Sequence, residues 1–358
     1  MTINLGEIFK KALRDERKVL RPHFFPAAGA GQPQLVTEES YLRLRLARMF
    51  LKDRRVLFQT KYPVVNALMR FSGLEGPVEV NIVARPELAG DDNKGNLDDI
   101  VTLDQTLLGP LLYRGGDLDL MLGLYAAPAD DWAQRFIQLA EGVSQLAVNA
   151  TLTTAVALAG TVKGVLEKVL DSGGLDLKLG LDQELKENVW LAPGYLVMIA
   201  APENSINFEN LTVEGGELKK RSGGVYSDHD YIVLAIEVTN QRSDWQGLGY
   251  GNLWQSLLKT AADADDIERV KEAYATFSGA ILASSDLSWS DRSAILAVAQ
   301  QRIKTIRDAR SGSGFFEGMK GMDALLEIEA LIEEEPVLPE KGGAVRTAGE
   351  LLETGWIK

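Results

Sequence analysis

The sequence predicts an α+β protein: a mostly antiparallel β-sheet or sandwich with an inserted helical pair, followed by a C-terminal helical region and an extended tail. Three observations carry that prediction. One glycine-led phrase is used twice, short apolar runs separated by turn residues fill the first two thirds of the chain, and helical apolar spacing takes over after residue 240.

The phrase is Gly115-Gly116-Asp117-Leu118-Asp119-Leu120-Met121-Leu122-Gly123-Leu124. It returns, one residue shorter, as Gly173-Gly174-Leu175-Asp176-Leu177-Lys178-Leu179-Gly180-Leu181. Leucines fall on alternate positions in both copies, so a strand sets them all on one face. The glycine pair that opens each copy is a turn signal.

Further strands are expected at residues 56–59, 64–71 and 78–83, runs broken by Pro63, Gly73, Gly76 and Pro77. Residues 195–200 form another buried run. Residues 211–214 and 217–219 flank Gly215-Gly216, a two-residue hairpin signal. The stretch 231–238 is apolar but for Glu237, which marks a central strand. These strands define a β-rich core domain over 56–240, with a helical insertion at 129–170 where Trp132, Phe136, Leu139 and Val143 make an apolar stripe.

Residues 1–55 read as an N-terminal helical arm. Leu5, Ile8, Phe9 and Leu13 form one stripe, and His23-Phe24-Phe25-Pro26 opens a hinge loop. Two patterns compete over 38–55: Leu42, Leu44 and Leu46 alternate with Arg43 and Arg45 as in a strand, whereas Leu42, Leu46, Met49 and Phe50 make a helical stripe. The helix is preferred, with the arginines on a solvated face. Residues 241–335 are the helical region, built on Leu253, Leu257 and Leu258, then Ile267, Val270, Tyr274, Phe277 and Ile281, then Ile295, Leu296, Val298, Ile303 and Ile306, with Ser290 as the cap of the last helix. Residues 336–358 are read as a flexible tail.

Composition narrows the functional classes. A net charge of -13 opposes nucleic acid and anionic lipid, and there is no basic helix with interleaved aromatics, so no nucleic-acid partner is expected. The absence of cysteine excludes disulfides, thiolate zinc sites and cysteine nucleophiles. The first helix lacks a continuous apolar signal core, and a cytoplasmic, prokaryotic protein is expected.

No catalytic, cofactor-binding or metal residue is expected. The histidines are His23 and His229; Ser227-Asp228-His229-Asp230 sets the second among carboxylates, but without a G-x-S-x-G nucleophile it reads as a turn. The acidic loop 91–99 brings its glycine one place too early for an EF-hand and has Thr102 where the liganding Glu belongs, so calcium is not expected. Gly247-Leu248-Gly249-Tyr250-Gly251 matches no phosphate-binding spacing and reads as a helix entry.

The preferred function is non-enzymatic: an adaptor, scaffold or subunit of a larger assembly that binds protein partners or itself. Trp245, Tyr250 and Trp254 are the candidate recognition aromatics, although core packing is the commoner fate of such residues. Leu351, Leu352, Trp356 and Ile357 are the candidates in the tail. The alternative is a conditional membrane effector that exposes the uncharged segment 142–162 after cleavage near 339–346. Its Gln145, Asn149 and threonines dilute its hydrophobicity, and burial against the sheet is the simpler reading. An enzyme acting through some of the 51 acidic residues comes third, because that abundance singles out no pair.

Overall fold

Two apolar periodicities divide the chain. In the computed structural model the period-two residues build one compact unit, Met1–Thr239, and the helical ones a second, Asn240–Lys358. The structure describes residues 19–27, 32–52, 55–56, 59–73, 76–84, 101–128, 176–202, 205–263 and 266–311, together with 330, 332, 336 and 338.

The first unit is an antiparallel sandwich. Its strands are β1 (Val19–Pro26), β2 (Tyr41–Phe50), β3 (Arg55–Val56), β4 (Gln59–Ser72), β5 (Pro77–Ala84), β6 (Val101–Leu112), β7 (Leu118–Pro128), β8 (Asp176–Leu185), β9 (Gly194–Ala201), β10 (Leu211–Glu214), β11 (Glu217–Lys220) and β12 (Asp230–Thr239). One sheet runs β1-β9-β12-β2-β6. The other runs β3-β4-β7-β8, with β5 also paired to β4. Alternate residues from both sheets meet in one buried core: Leu42, Leu44 and Leu46 of β2, Leu120, Leu122 and Leu124 of β7, and Ile232, Leu234 and Ile236 of β12 all belong to it. The two copies of the glycine-led phrase are direct neighbours, with Leu122 opposite Leu181, Gly123 opposite Gly180, and Leu124 opposite Leu179.

Part of the outer face of the first sheet is buried too. The β10–β11 hairpin lays Leu211 and Leu218 on Phe50, Val197, Ile199, Tyr231 and Val233, which explains why β12 is apolar on both faces. Gly215 and Gly216 turn the hairpin with φ of 56° and 79°, the two consecutive positive values of a type I′ turn, which glycine adopts at no steric cost.

The Arg48 guanidinium holds the hairpin to the sheet through Glu217. Burial pushes the Glu217 carboxyl up, but its bonds to Arg48 and Lys219 outweigh that and hold its pKa below the ordinary 4.5. A depressed carboxylate pKa contributes stability above the unfolded value and loses it as pH falls through the lower folded value. The protection factors of amides in residues 211–220, taken relative to intrinsic exchange at each pH, should therefore fall on acidification below 4.5. Glu217→Gln should flatten that dependence, and an identical acid response in both proteins would count against the ion pair as its cause.

Two expectations are corrected in this unit. Residues 41–50 are a strand and not the preferred helix, because β2 carries register shifts where it pairs with both neighbours. The extra residue near Leu46 lets Leu42, Leu44 and Leu46, then Met49 and Leu51, all enter the core. That phase slip imitates helical spacing. Arg43 and Arg45 accordingly lie on the outer face, where both pair with Glu237, and Arg45 also pairs with Asp104. His23-Phe24-Phe25-Pro26 likewise ends strand β1 instead of opening a loop; an edge strand tolerates Pro22 and Pro26 because one side of it needs no donor.

The second unit contains α1 (Gly251–Asp263), α2 (Ile267–Leu282) and α3 (Trp289–Ser311). Their apolar stripes converge on Trp254, Leu258, Val270, Phe277, Ile281, Ile295 and Ile306. Asp266 caps α2 by accepting the Glu268 N–H. The cap of α3 is Ser288, whose Oγ accepts the Asp291 N–H at 3.2 Å, and not the expected Ser290. Leu338, in the stretch assigned to the tail, is 8% exposed within this core.

The N-terminal stripe, the acidic loop 91–99, the insertion 129–170 with its uncharged segment, and Leu351, Leu352, Trp356 and Ile357 lie outside the described residues. Among the described residues, no helix is long and apolar enough to cross a membrane.

Candidate functional site

The aromatic candidates divide once their surroundings are known. Trp245 opens a 3-10 turn over Trp245–Leu248, which Gly249 ends with φ of 93° before α1 begins. Trp254 follows one turn into α1. Both indoles are 0% exposed. They pack edge to face at 5.6 Å and close on Phe277 at 6.1 and 5.8 Å. A side chain without exposed surface cannot be presented to a partner, so Trp245 and Trp254 are corrected from recognition residues to core. Tyr250 is half-buried against the same cluster. The glycines at 247, 249 and 251 thus serve a helix entry.

The histidines are tied into apolar and aromatic surroundings. His23 stacks on Phe208 at 4.5 Å and meets Phe25 edge-on, and burial lowers its pKa. His229 Nδ1 lies 2.6 Å from the Tyr226 hydroxyl, whose own pKa is pushed up to about 12 by burial and the nearby Asp228 carboxylate. Asp228 pairs with Lys220, and Asp230 accepts the Lys52 N–H. These contacts join the turn before β12 to its surroundings. Among the described residues, no group of three or more histidine, aspartate or glutamate side chains could hold a metal ion.

An open groove of about 760 Å³ runs between α1 and α2, lined by polar side chains that include Gln255, Lys259, Arg269 and Glu272. Its walls are helix faces turned away from the core.

The more distinctive surface is the corner between α2 and α3. Trp289 is 52% exposed and Leu282 is 39% exposed. Arg292 braces the backbone that carries them, donating from Nη1 to the Leu282 carbonyl at 3.1 Å and from Nε to the Leu287 carbonyl at 3.0 Å. Leu287 is fully buried, Ser288 caps the helix, and Arg242 reaches the Asp286 carbonyl from the other side. An indole and a leucine are therefore displayed on a backbone that is pinned at several points.

Sequence reasoning did not single out Trp289. Helical spacing could not have found it: Trp289 stands seven residues before Leu296, on the same helical face as that buried residue, yet it is half-exposed at the first position of α3. Comparison of the chain with protein families, curated proteins and solved structures finds no match.

Proposed function

We propose that the protein works by binding other proteins, as an adaptor, a scaffold or a subunit of a cytoplasmic assembly, and that the α2–α3 corner is its contact. The observation that carries this reading is that Trp289 and Leu282, both exposed, flank an Arg292-braced turn. Tryptophan dominates interface hot spots because it buries a large apolar surface while fixing only two side-chain torsions. Holding it on a pinned turn lowers the entropy lost on association.

The test compares affinity-tagged wild-type protein with Trp289→Ala and Leu282→Asp, purified from the native host. Both side chains are exposed, so thermal unfolding should stay within about 0.5 kcal/mol of wild type, as surface substitutions do. Stoichiometric co-purifying protein should fall at least tenfold in each variant. Unchanged recovery in both would exclude the corner as the contact.

A further inference from the structure

We propose that residues 205–229 are a strap that lifts off the first sheet as one unit in acid, baring the apolar face beneath it while the sandwich stays folded. The strap follows β9 and rejoins the sheet at Asp230, which stands opposite Ala200 on that same strand. Its ends therefore lie at neighbouring positions, and the sheet order β1-β9-β12-β2-β6 uses none of its residues. The strap closes on itself. Strands β10 and β11 form a two-stranded sheet of their own, and the Arg221 and Tyr226 N–H groups donate to the Asn210 and Leu218 carbonyls. Lys219 pairs with Glu214 and Lys220 with Asp228, again within the strap. Lifting it breaks no ladder of the first sheet, which lets it open at a lower cost than global unfolding.

An apolar contact and two titratable ones hold the strap down. Leu211, Leu218 and Tyr226 pack with Val197, Ile199 and Val233 of the sheet. At the hairpin, Glu217 is faced by Arg48 from β2, Lys219 from β11 and the Tyr231 hydroxyl from β12. At the other end, Phe208 stacks on His23 of β1 at 4.5 Å, and the Phe25 ring meets both edge-on. Burial there lowers the His23 pKa; burial raises that of Glu217, but the bonds to Arg48 and Lys219 outweigh it and lower it. Both depressed groups contribute stability above their ordinary values and lose it as pH falls through the folded ones. The strap contact thus weakens below 6.5 through His23 and again below 4.5 through Glu217. The core on the opposite face of the sheet holds no group that titrates in this range. The strap does not draw on the Trp289 corner, and either reading can fail without the other.

The experiment is thiol labelling with dithiodipyridine. The chain has no cysteine, so one introduced thiol reads one position. Val233→Cys places it under the strap, and Leu234→Cys places it on the core face of the same strand; both side chains are 0% exposed. Rates are taken relative to Gln301→Cys, an exposed position, at the same pH. Val233→Cys should label faster than Leu234→Cys at neutral pH, and its relative rate should climb below 6.5 while that of Leu234→Cys stays level. Adding Glu217→Gln at neutral pH should raise the Val233→Cys rate about tenfold, the scale of a hydrogen bond to a charged group, and leave Leu234→Cys unmoved. Equal relative rates at the two positions overturn the proposal, because they report global unfolding alone. So does a Val233→Cys rate that acid or Glu217→Gln leaves unchanged. If Leu234→Cys does not fold, amide exchange takes its place. Protection over residues 205–226, relative to intrinsic exchange, should then fall with pH while that over 231–238 holds, and a parallel fall removes the proposal.

Discussion

Trp254→Ala is expected to destabilise the helical unit by about 3–5 kcal/mol, the range for deleting a buried aromatic. The indole is 0% exposed and touches both Trp245 and Phe277, so its removal leaves a cavity bordered by rigid rings that cannot collapse into it. Trp254→Phe should cost markedly less. Among the described residues the Trp254 Nε1 donor has no hydrogen-bond partner, and phenylalanine removes that unsatisfied group while keeping a ring in place. Thermal unfolding followed by tryptophan fluorescence checks both. Equal losses for the two variants would mean that the ring contacts carry little of the stability.

Leu122→Asp is expected to prevent the sandwich from folding. Leu122 is 0% exposed in the shared core, opposite Ala67 on β4 and Leu181 on β8. Truncating such a leucine costs about 2–5 kcal/mol, and an unpaired carboxylate adds its desolvation penalty. The sum is comparable to the whole stability of a domain, about 5–15 kcal/mol. The contrasting variant is Asp119→Asn on the same strand. Asp119 is exposed on the opposite face, and that variant should stay within about 0.5 kcal/mol of wild type. Circular dichroism of both reads the alternation directly; similar behaviour would mean that the strand is placed one residue out of phase.

Strand alternation was legible wherever one face of a strand stays in register with the core. The glycine-led repeat, the Gly215-Gly216 hairpin and the long apolar run of β12 all appear where the pattern places them. β2 was not legible because a bulge shifts its phase midway, and a shifted period of two passes through the same positions as a helical stripe. β1 was obscured by its prolines, whose tolerance depends on an edge position that only the sheet order reveals. The α3 cap was displaced by two residues because Ser288 and Ser290 are both plausible caps, and only the bond to the Asp291 N–H distinguishes them.

The candidate surface was less legible than the fold. Trp245, Trp254 and Trp289 carry the same side chain, and exposure is decided by how three helices pack rather than by local spacing. The first two belong to the α1–α2–α3 core, while Trp289, in line with Leu296 along α3, is half-exposed at the first position of that helix.

The measurement that bears most directly on the proposed role is photo-crosslinking from position 289 in the native host. A photoreactive phenylalanine analogue replaces Trp289, and a control carries it at Gln301, an exposed position on the same helix. The binding account expects one or a few adducts of defined mass from position 289 and none from 301. Diffuse labelling at both positions, or adducts from 301 alone, would contradict it.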